Sequence, residues 1–209
     1  MSERRALLPT LDRIFSGPRE SVLTVQAFLR GLDERSYAFV IAALNLPNCI
    51  PTGIPLISTI TGIPMILLLI EEFSGYRAAQ VPRFIGQKGM LRGRLQDTLE
   101  KLRKYILWLE ARVYPRREWW LAGTPRRLLL TAWTANVVIL ALPIPFDNLF
   151  PAWAILFFCL ALIEGDGVMA ILGWVFTVLT ALWTVFLLTV GRATVIAVFE
   201  IVGSFFSAQ

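Results

Sequence analysis

The stretch Asn45-Leu46-Pro47-Asn48-Cys49-Ile50-Pro51-Thr52-Gly53-Ile54-Pro55 decides how this chain is built. It sits inside Tyr37 to Ile70, 34 residues without one Asp, Glu, Lys or Arg. A charge-free run of that length can enter a bilayer core, which takes about 20 apolar residues in helical form. Three prolines cannot sit inside one regular helix, however. Each interior proline removes a backbone hydrogen bond and crowds the preceding turn, at about 3 kcal/mol. The stretch therefore predicts two half-helices, 37–46 and 55–70, around an unwound centre, with Gly62 and Pro64 as a second weak point.

The pattern recurs. Leu128 to Ile163 is 36 residues carrying only Asp147, and its centre reads Leu142-Pro143-Ile144-Pro145-Phe146-Asp147-Asn148-Leu149-Phe150-Pro151. A shift of 96 positions lays Leu46-Pro47 on Leu142-Pro143 and Pro55 on Pro151. Each half then continues apolar and ends on acids: Glu71-Glu72 in one, Glu164 and Asp166 in the other, after a small gap. A third charge-free run spans Val168 to Gly191. The whole chain is 56% hydrophobic and only 17% charged, where a soluble domain carries about a quarter of its residues as charges. The fold class expected is all-α: a polytopic integral membrane protein with two related halves, each containing a proline-broken helix, re-entrant or unwound.

Four units follow. Residues 1–36 form a polar arm with one amphipathic helix, capped by Ser21 and apolar at Val22, Val25, Phe28, Leu29 and Leu32. Residues 37–70 are the first broken-helix unit. Residues 71–127 are a linker with thirteen Lys or Arg against six Asp or Glu. Within it, 91–114 reads as an amphipathic helix with Leu91, Leu95, Leu99, Leu102, Ile106, Leu109 and Val113 on one face, stopped by Pro115. Residues 128–209 hold the second unit and C-terminal transmembrane helices. The basic excess places the linker on the cytoplasmic side, with Trp119 and Trp120 beside Arg116-Arg117 as interface anchors. A juxtamembrane basic helix meets anionic lipid, so the lipid bilayer is the expected partner and nucleic acid is not. Both flanks of 37–70 carry basic residues, with a clear excess only in the second, and a hairpin entering and leaving on the cytoplasmic side is preferred to a single unwound crossing. The N-terminus lacks the apolar core of a signal peptide, and the expected location is the bacterial inner (cytoplasmic) membrane, multi-pass.

Several chemistries fall away. The chain has no histidine, which excludes a Ser-His-Asp triad, a histidine metal centre and a histidine relay. Its two cysteines, Cys49 and Cys159, support no disulfide framework and no zinc site built from sulfur alone. Gly86-Gln87-Lys88-Gly89 is too short for a nucleotide loop. Neither an enzyme nor a cofactor nor a metal is expected.

A broken helix leaves free N–H groups at the start of its second half and free C=O groups at the end of its first. Such ends at membrane depth bind ions and small substrates, and proline-interrupted segments in matching positions are the sequence pointer to a transport site. The candidate ligands are Pro47, Asn48, Pro51, Thr52 and Pro55 from the first break, expected to meet Pro143, Pro145, Asp147, Asn148 and Pro151 near the bilayer middle. Pro55 and Pro151 suit the first position of the second half-helices. Asp147 is either an ion ligand or the cap of the helix that follows. Glu164 and Asp166, flanked by glycines, mark a membrane edge or a proton site. The partner of such a site is a small ion or small-molecule substrate. Whether the chain forms a homo-oligomer is left open.

Leu46-Pro47-Asn48, followed by Ile50-Pro51 and Thr61-Gly62-Ile63-Pro64, resembles the first half of the ExoD family of bacterial exopolysaccharide-synthesis proteins. Glu110, Arg112, Pro115 and Arg116 resemble that family's linker. Leu142-Pro143-Ile144-Pro145-Phe146, then Asn148, Pro151, Glu164, Asp166 and Gly167, resemble its second half. The match covers about residues 20 to 190. It implies an inner-membrane protein associated with exopolysaccharide production and growth at alkaline pH. Departures are Asp147 in place of a small residue, Glu71-Glu72 in place of apolar or amide types, Gly165 in place of a basic residue, and a missing tryptophan before Val81-Pro82. The function expected is a small secondary transporter or ion-coupled permease; the alternative is a non-transporting accessory protein that scaffolds exopolysaccharide assembly.

Overall fold

The computed structural model describes residues 7–50, 55–142 and 147–207, with backbone alone for 55, 56, 118 and 192–207. The described chain is helical apart from one short ribbon. Its elements are α1 (Leu7–Phe15), β1 (Val22–Thr24), α2 (Val25–Leu32), α3 (Arg35–Asn45), α4 (Pro55–Phe73), α5 (Arg83–Gly86), β2 (Gly89–Leu91), α6 (Arg92–Glu110), α7 (Gly123–Ala141), α8 (Leu149–Glu164) and α9 (Gly167–Ser207). Short 3-10 turns span Leu46–Cys49 and Glu118–Leu121.

The helix ends around the first break fall where proline requires. α3 closes at Asn45, the 3-10 turn takes Pro47 into its first positions, and α4 opens on Pro55. The second break differs. α8 begins at Leu149, so Pro151 is its third residue rather than its first. Nothing is lost by that, because the first four N–H groups of a helix have no intrahelical acceptor. Pro64 lies within α4 without ending it. Gly62 marks the crossing with α7: a Cβ there would lie 2.6 Å from the Cβ of Ala141.

Hydrogen bonds fix the relative directions of α3, α4, α7 and α8. At one end, Arg126 near the start of α7 reaches Glu34, which precedes α3, at 3.5 Å, and Glu72, near the end of α4, at 3.3 Å. At the other end, Asn45 Nδ2 at the close of α3 donates to the Ala152 carbonyl in the first turn of α8, at 2.7 Å. Thr59 Oγ1 in the first turns of α4 donates to the last carbonyl of α7, Ala141, at 3.0 Å. So α3 and α4 form one antiparallel hairpin and α7 and α8 another, with α3 packed on α8 and α4 on α7. The breaks are therefore the turns of two helical hairpins, and not interruptions within a single rod. All five long apolar helices have one end at a common charged face, where α3, α7 and α9 start and α4 and α8 finish. α4 and α7 have 19 residues each, so their far ends lie about 28 Å away at the usual helical rise, whereas α3, with 11 residues, closes about 16 Å from that face.

The core runs through this crossing, with Tyr37, Ile41, Met65, Leu69, Leu129, Trp133, Val137, Ile155 and Phe158 almost fully enclosed. α9 packs along α8, where Gly173 lets the Phe158 ring approach closely. Beyond that seam α9 is open. Gly167–Gly191 is one described helical run long and apolar enough to cross a membrane, with a mean hydropathy of 2.2 and only 11% of its apolar window buried. α4 likewise turns Ile60, Ile63, Leu67 and Ile70, spaced at helical intervals, to the outside.

The N-terminal arm corrects the sequence reading in two places. Val22–Thr24 is a strand, paired antiparallel with Gly89–Leu91 (Val22 to Leu91, Leu23 to Met90, Thr24 to Gly89). The helix expected from Ser21 begins after it, with Thr24 as its cap, accepting a hydrogen bond from Ala27 N–H at 3.2 Å. A strand over β-branched Val22 and Thr24 needs only a partner, and the partner lies far along the chain. Gly89 lets the two backbones close up, since a Cβ there would clash with Val22. The second correction is α1, a helix within the supposed polar arm. Its Leu7, Leu8 and Leu11 are buried, and it packs on α6.

α6 ends at Glu110, short of the expected Tyr114. Of its leucine stripe, Leu99 is 5% exposed and Leu102 47% exposed. Leu102 is three residues from Leu99 in sequence, and α1 covers only the Leu99 side. Leu99→Ala should therefore cost about 2–5 kcal/mol of stability, while Leu102→Ala should stay within about 0.5 kcal/mol. Thermal unfolding of the two purified variants in neutral detergent checks this; equal losses would mean that α1 does not seat on α6.

Candidate functional site

Two groups of polar side chains are built into an otherwise apolar body, one at each end of the hairpins.

The distal group surrounds the breaks. Pro47 is exposed on its 3-10 turn, whereas Asn48 beside it is buried and donates from Nδ2 to Thr61 Oγ1 at 2.9 Å. Thr61 passes its own proton to the Ile57 carbonyl, 2.9 Å away. Asn45 spends its amide N–H on Ala152, which leaves its buried Oδ1 with no hydrogen-bond partner. The first break thus meets the second at Ala152, one residue after Pro151. Asn148 precedes α8 but gives it no side-chain cap. Pro51, Thr52, Pro143 and Pro145 lie outside the described residues, and Pro55 is described by its backbone alone.

Asp147 settles one alternative. It does not cap α8. Its two carboxylate oxygens sit 3.0 and 2.9 Å from Thr184 Oγ1 on α9, and the residue is 1% exposed. One hydroxyl offers a single proton to two oxygens. Among the described residues no cation pairs with this carboxylate. Asn136 on α7 makes a similar bridge, donating to Thr177 Oγ1 of α9 at 2.8 Å. Threonines in an apolar helix give no signal in the sequence, because they satisfy themselves on the preceding turn, as Thr177 does on Gly173. The sequence reading therefore lacked Thr184 and Thr177.

The proximal group carries the charge. Asp166 is fully buried and has a structural role: Oδ1 accepts from Arg116 Nε at 2.9 Å and from the backbone N–H of Val168 at 2.8 Å. It caps α9 and fastens the linker to it. Gly165, at φ 74°, supplies the left-handed turn that ends α8, and Gly167 leaves room for the Arg117 carbonyl against the chain. The Glu164-Gly165-Asp166-Gly167 run is thus a helix stop followed by a helix start.

Glu164 is different. It is 1% exposed, and one of its oxygens lacks a hydrogen-bond partner. The other side of the carboxylate faces the first backbone N–H of α1, from Leu7, and Glu110 Oε1 accepts the next one, from Leu8, at 2.7 Å. Two carboxylates therefore seat the N-terminus of α1, where free N–H groups and the helix dipole favour negative charge. The other end of α1 is held by Arg92, which donates to the Ile14 and Ser16 carbonyls at 2.6 and 2.7 Å.

Glu164 and Glu72 lie outside the charge-free stretches, and both titrate abnormally. Burial raises Glu164 to about 7, helped by the nearby Glu110 and Asp166 carboxylates and opposed by Arg35 and the Leu7 N–H. Burial likewise raises Glu72 to about 7; Arg126 pulls it down and Glu34 pushes it up.

Comparison with known proteins bears on this arrangement directly. A family model described as "Exopolysaccharide synthesis, ExoD" matches residues 7–186, from the first turn of α1 to the middle of α9. The chain belongs to the ExoD family. The ExoD protein of Rhizobium meliloti (strain 1021) is 29% identical over 184 residues, covering 86% of this chain and 76% of that one. An uncharacterised protein of Synechocystis sp. is 25% identical over 169 residues, covering 80% of each. No solved structure matches. Within this ExoD chain, linker residues that resemble the family pattern, Glu110 and Arg116, are the ones set against Glu164, Asp166 and α1.

The pH dependence follows. A carboxyl whose folded pKa stands near 7, above its ordinary value of 4.5, binds its proton more tightly in the folded state. That stabilisation is complete below the ordinary pKa and disappears as pH rises through about 7. The melting temperature in detergent should accordingly fall between pH 5.5 and 8 on the scale of the two shifts. Glu164→Gln should flatten the fall. A Glu164→Gln profile parallel to the parent's would show that this carboxyl is already ionised in the folded protein.

Proposed function

We propose that this chain is a multi-pass protein of the bacterial inner membrane that serves exopolysaccharide production as a small ion-coupled permease, without enzymatic chemistry of its own. Membership of a family named for exopolysaccharide synthesis supports the process. The outward apolar faces of α4 and α9 support the membrane placement, since soluble proteins rarely leave apolar patches of that extent uncovered. The cross-packing of α3 on α8 and α4 on α7 supports two related halves.

The observation that carries the transport reading is the Asp147–Thr184 pair. A lone carboxylate among apolar helices is a functional-site hypothesis by default, because its charge has to be met by something. Here a hydroxyl meets its shape but not its charge, so a proton or a small cation is the natural complement. The pair lies at the end of α8 away from the charged face, while Glu164 and Asp166 stand at the opposite end of that helix.

A second reading, a non-transporting accessory protein of exopolysaccharide assembly, rests on Asn45 and Asn48. Both spend their amide N–H groups on neighbouring helices, which is how a dry structural turn is held. Flux separates the two. Reconstituted protein, screened over protons, alkali cations and common anions, should show coupled movement that Asp147→Asn lowers about tenfold or more, the effect of about 1.4 kcal/mol. The same variant should keep its melting temperature, because an amide can still pair with Thr184. Parental flux in Asp147→Asn, or no flux for any of these ions, would leave the accessory reading.

A further inference from the structure

Beside the charged end, α2, α5 and the loop after α4 enclose an open cavity of about 650 Å³. Arg30, Arg77 and Arg83 line it together with Tyr76, Gln26 and Gln87. The three arginines come from three separate segments. Among the described residues, none of their side chains makes an ion pair or a hydrogen bond. Elsewhere Arg19 pairs with Asp97, Arg103 with Asp12 and Glu100, Arg116 with Asp166, and Arg126 with Glu34 and Glu72. Arg13, Arg94, Arg117 and Arg127 are also unpaired among the described residues but do not line this cavity. Three guanidinium groups gathered at one cavity repel one another, and planar forks of donors match phosphate oxygens best. No acid among the described residues lines this cavity; Glu71, which lines the adjoining groove, accepts from the Gln80 backbone N–H at 3.0 Å.

A second cavity of about 600 Å³ adjoins the first, sharing Gln80 and Val81. This one is apolar. It is a groove along α3 and α4, lined by Val40, Leu44, Pro64, Leu67 and Leu68, with Leu29 of α2 beside them and Glu71 of α4 toward the charged face. Leu44 and Pro64, its farthest lining residues, stand nine residues from the charged ends of their helices, at Arg35 and Phe73. Nine residues are about 14 Å of helix, close to half of the roughly 30 Å hydrocarbon core. A basic bowl at the membrane surface continuing into an apolar groove one leaflet deep has the amphipathic outline of a single molecule.

We propose that the paired cavities bind a phosphate-bearing lipid, its phosphate on Arg30, Arg77 and Arg83 and its hydrocarbon chain in the groove along α3 and α4. The inference rests on the membrane placement proposed above and is independent of transport. A soluble phosphate would use only the bowl; the adjoining groove, at the right depth, selects the lipid.

Binding of radiolabelled phosphatidic acid to the full chain in neutral detergent tests this, with phosphatidylcholine and glycerol 3-phosphate as comparators. Phosphatidic acid should bind about tenfold or more tightly than either, the scale of one charge-assisted hydrogen bond. Arg30→Gln, Arg77→Gln and Arg83→Gln should each weaken it, and together remove its advantage over phosphatidylcholine. These arginines are exposed, so the variants should melt as the parent does. Leu44→Trp, which fills the groove, should weaken phosphatidic acid while leaving glycerol 3-phosphate unchanged. Equal affinity for the two lipids, or a triple variant that still prefers phosphatidic acid, overturns the proposal. Glycerol 3-phosphate binding as tightly as phosphatidic acid overturns it in favour of a free-phosphate site. Carbonate extraction of cell membranes reads the membrane placement separately, and flux through Asp147→Asn reads transport, so failure of either is not mistaken for failure of lipid binding.

Discussion

Arg126 stands between two carboxylates that the sequence keeps far apart, Glu34 ahead of α3 and Glu72 at the foot of α4. An exposed ion pair such as the Glu34 leg contributes about 0–1 kcal/mol. The Glu72 leg is another matter, because that side chain is 6% exposed and a buried carboxylate without its cation is costly. What the arginine fixes is direction. A chain that leaves the charged face through α3 has to return to it through α4, and α7 has to start there. The second hairpin obeys the same constraint through different residues. α8 returns to Glu164, the turn at Gly165 follows at once, and Arg116 takes Asp166 as α9 departs. Long charge-free helices have little choice, since each of their charges can be solvated or paired only at this face or beyond the opposite turns.

α1 gives the charged face its lid. A nine-residue helix is marginal alone, and this one is held by its ends: carboxylates at the free N–H groups and Arg92 at the free carbonyls. Glu164 therefore serves two neighbours at once, the end of a hairpin and the start of the lid. Its elevated pKa comes first from burial, with the Glu110 carboxylate beside it adding to the shift, and one of its oxygens is left without a donor. The Glu72 corner repeats the theme with Arg126 as the moderating charge. Burial raises both acids to about 7, and both sit where the hairpins are tied together.

The breaks were legible in the sequence because proline acts locally. The end of α3 at Asn45 and the start of α4 at Pro55 follow from backbone sterics where prolines cluster, whereas the single Pro64 is accommodated within α4. The leucine stripe of α6 was legible only in part, since periodicity identifies an apolar face but cannot say that α1 covers Leu99 and leaves Leu102 open. The strand at Val22–Thr24 was hidden because its apolar residues also fit a helical repeat, and its partner lies beyond two long helices. Asp147 was legible as an anomaly, one charge in 36 residues. Its partner was not: Thr184 lies 37 positions onward in a helix whose hydroxyls normally serve their own backbone. Glu164 and Asp166 look alike in the sequence, and tertiary structure alone makes one a helix cap and the other a crowded acid.

Placing the breaks at hairpin turns changes what an unwound segment has to accomplish. In the middle of a bilayer every free backbone group needs a protein or water partner. At the turn of a hairpin, neighbouring helices share the task. The described side chains there join helix to helix: Asn45 reaches Ala152, Asn48 reaches Thr61, and Thr59 meets the last carbonyl of α7. Asp147 does not fit that economy. Its carboxylate turns inward to Thr184 of α9 and is almost completely enclosed. That burial arises from packing of the α8 entrance against α9, which leaves a hydroxyl as the partner of a carboxylate.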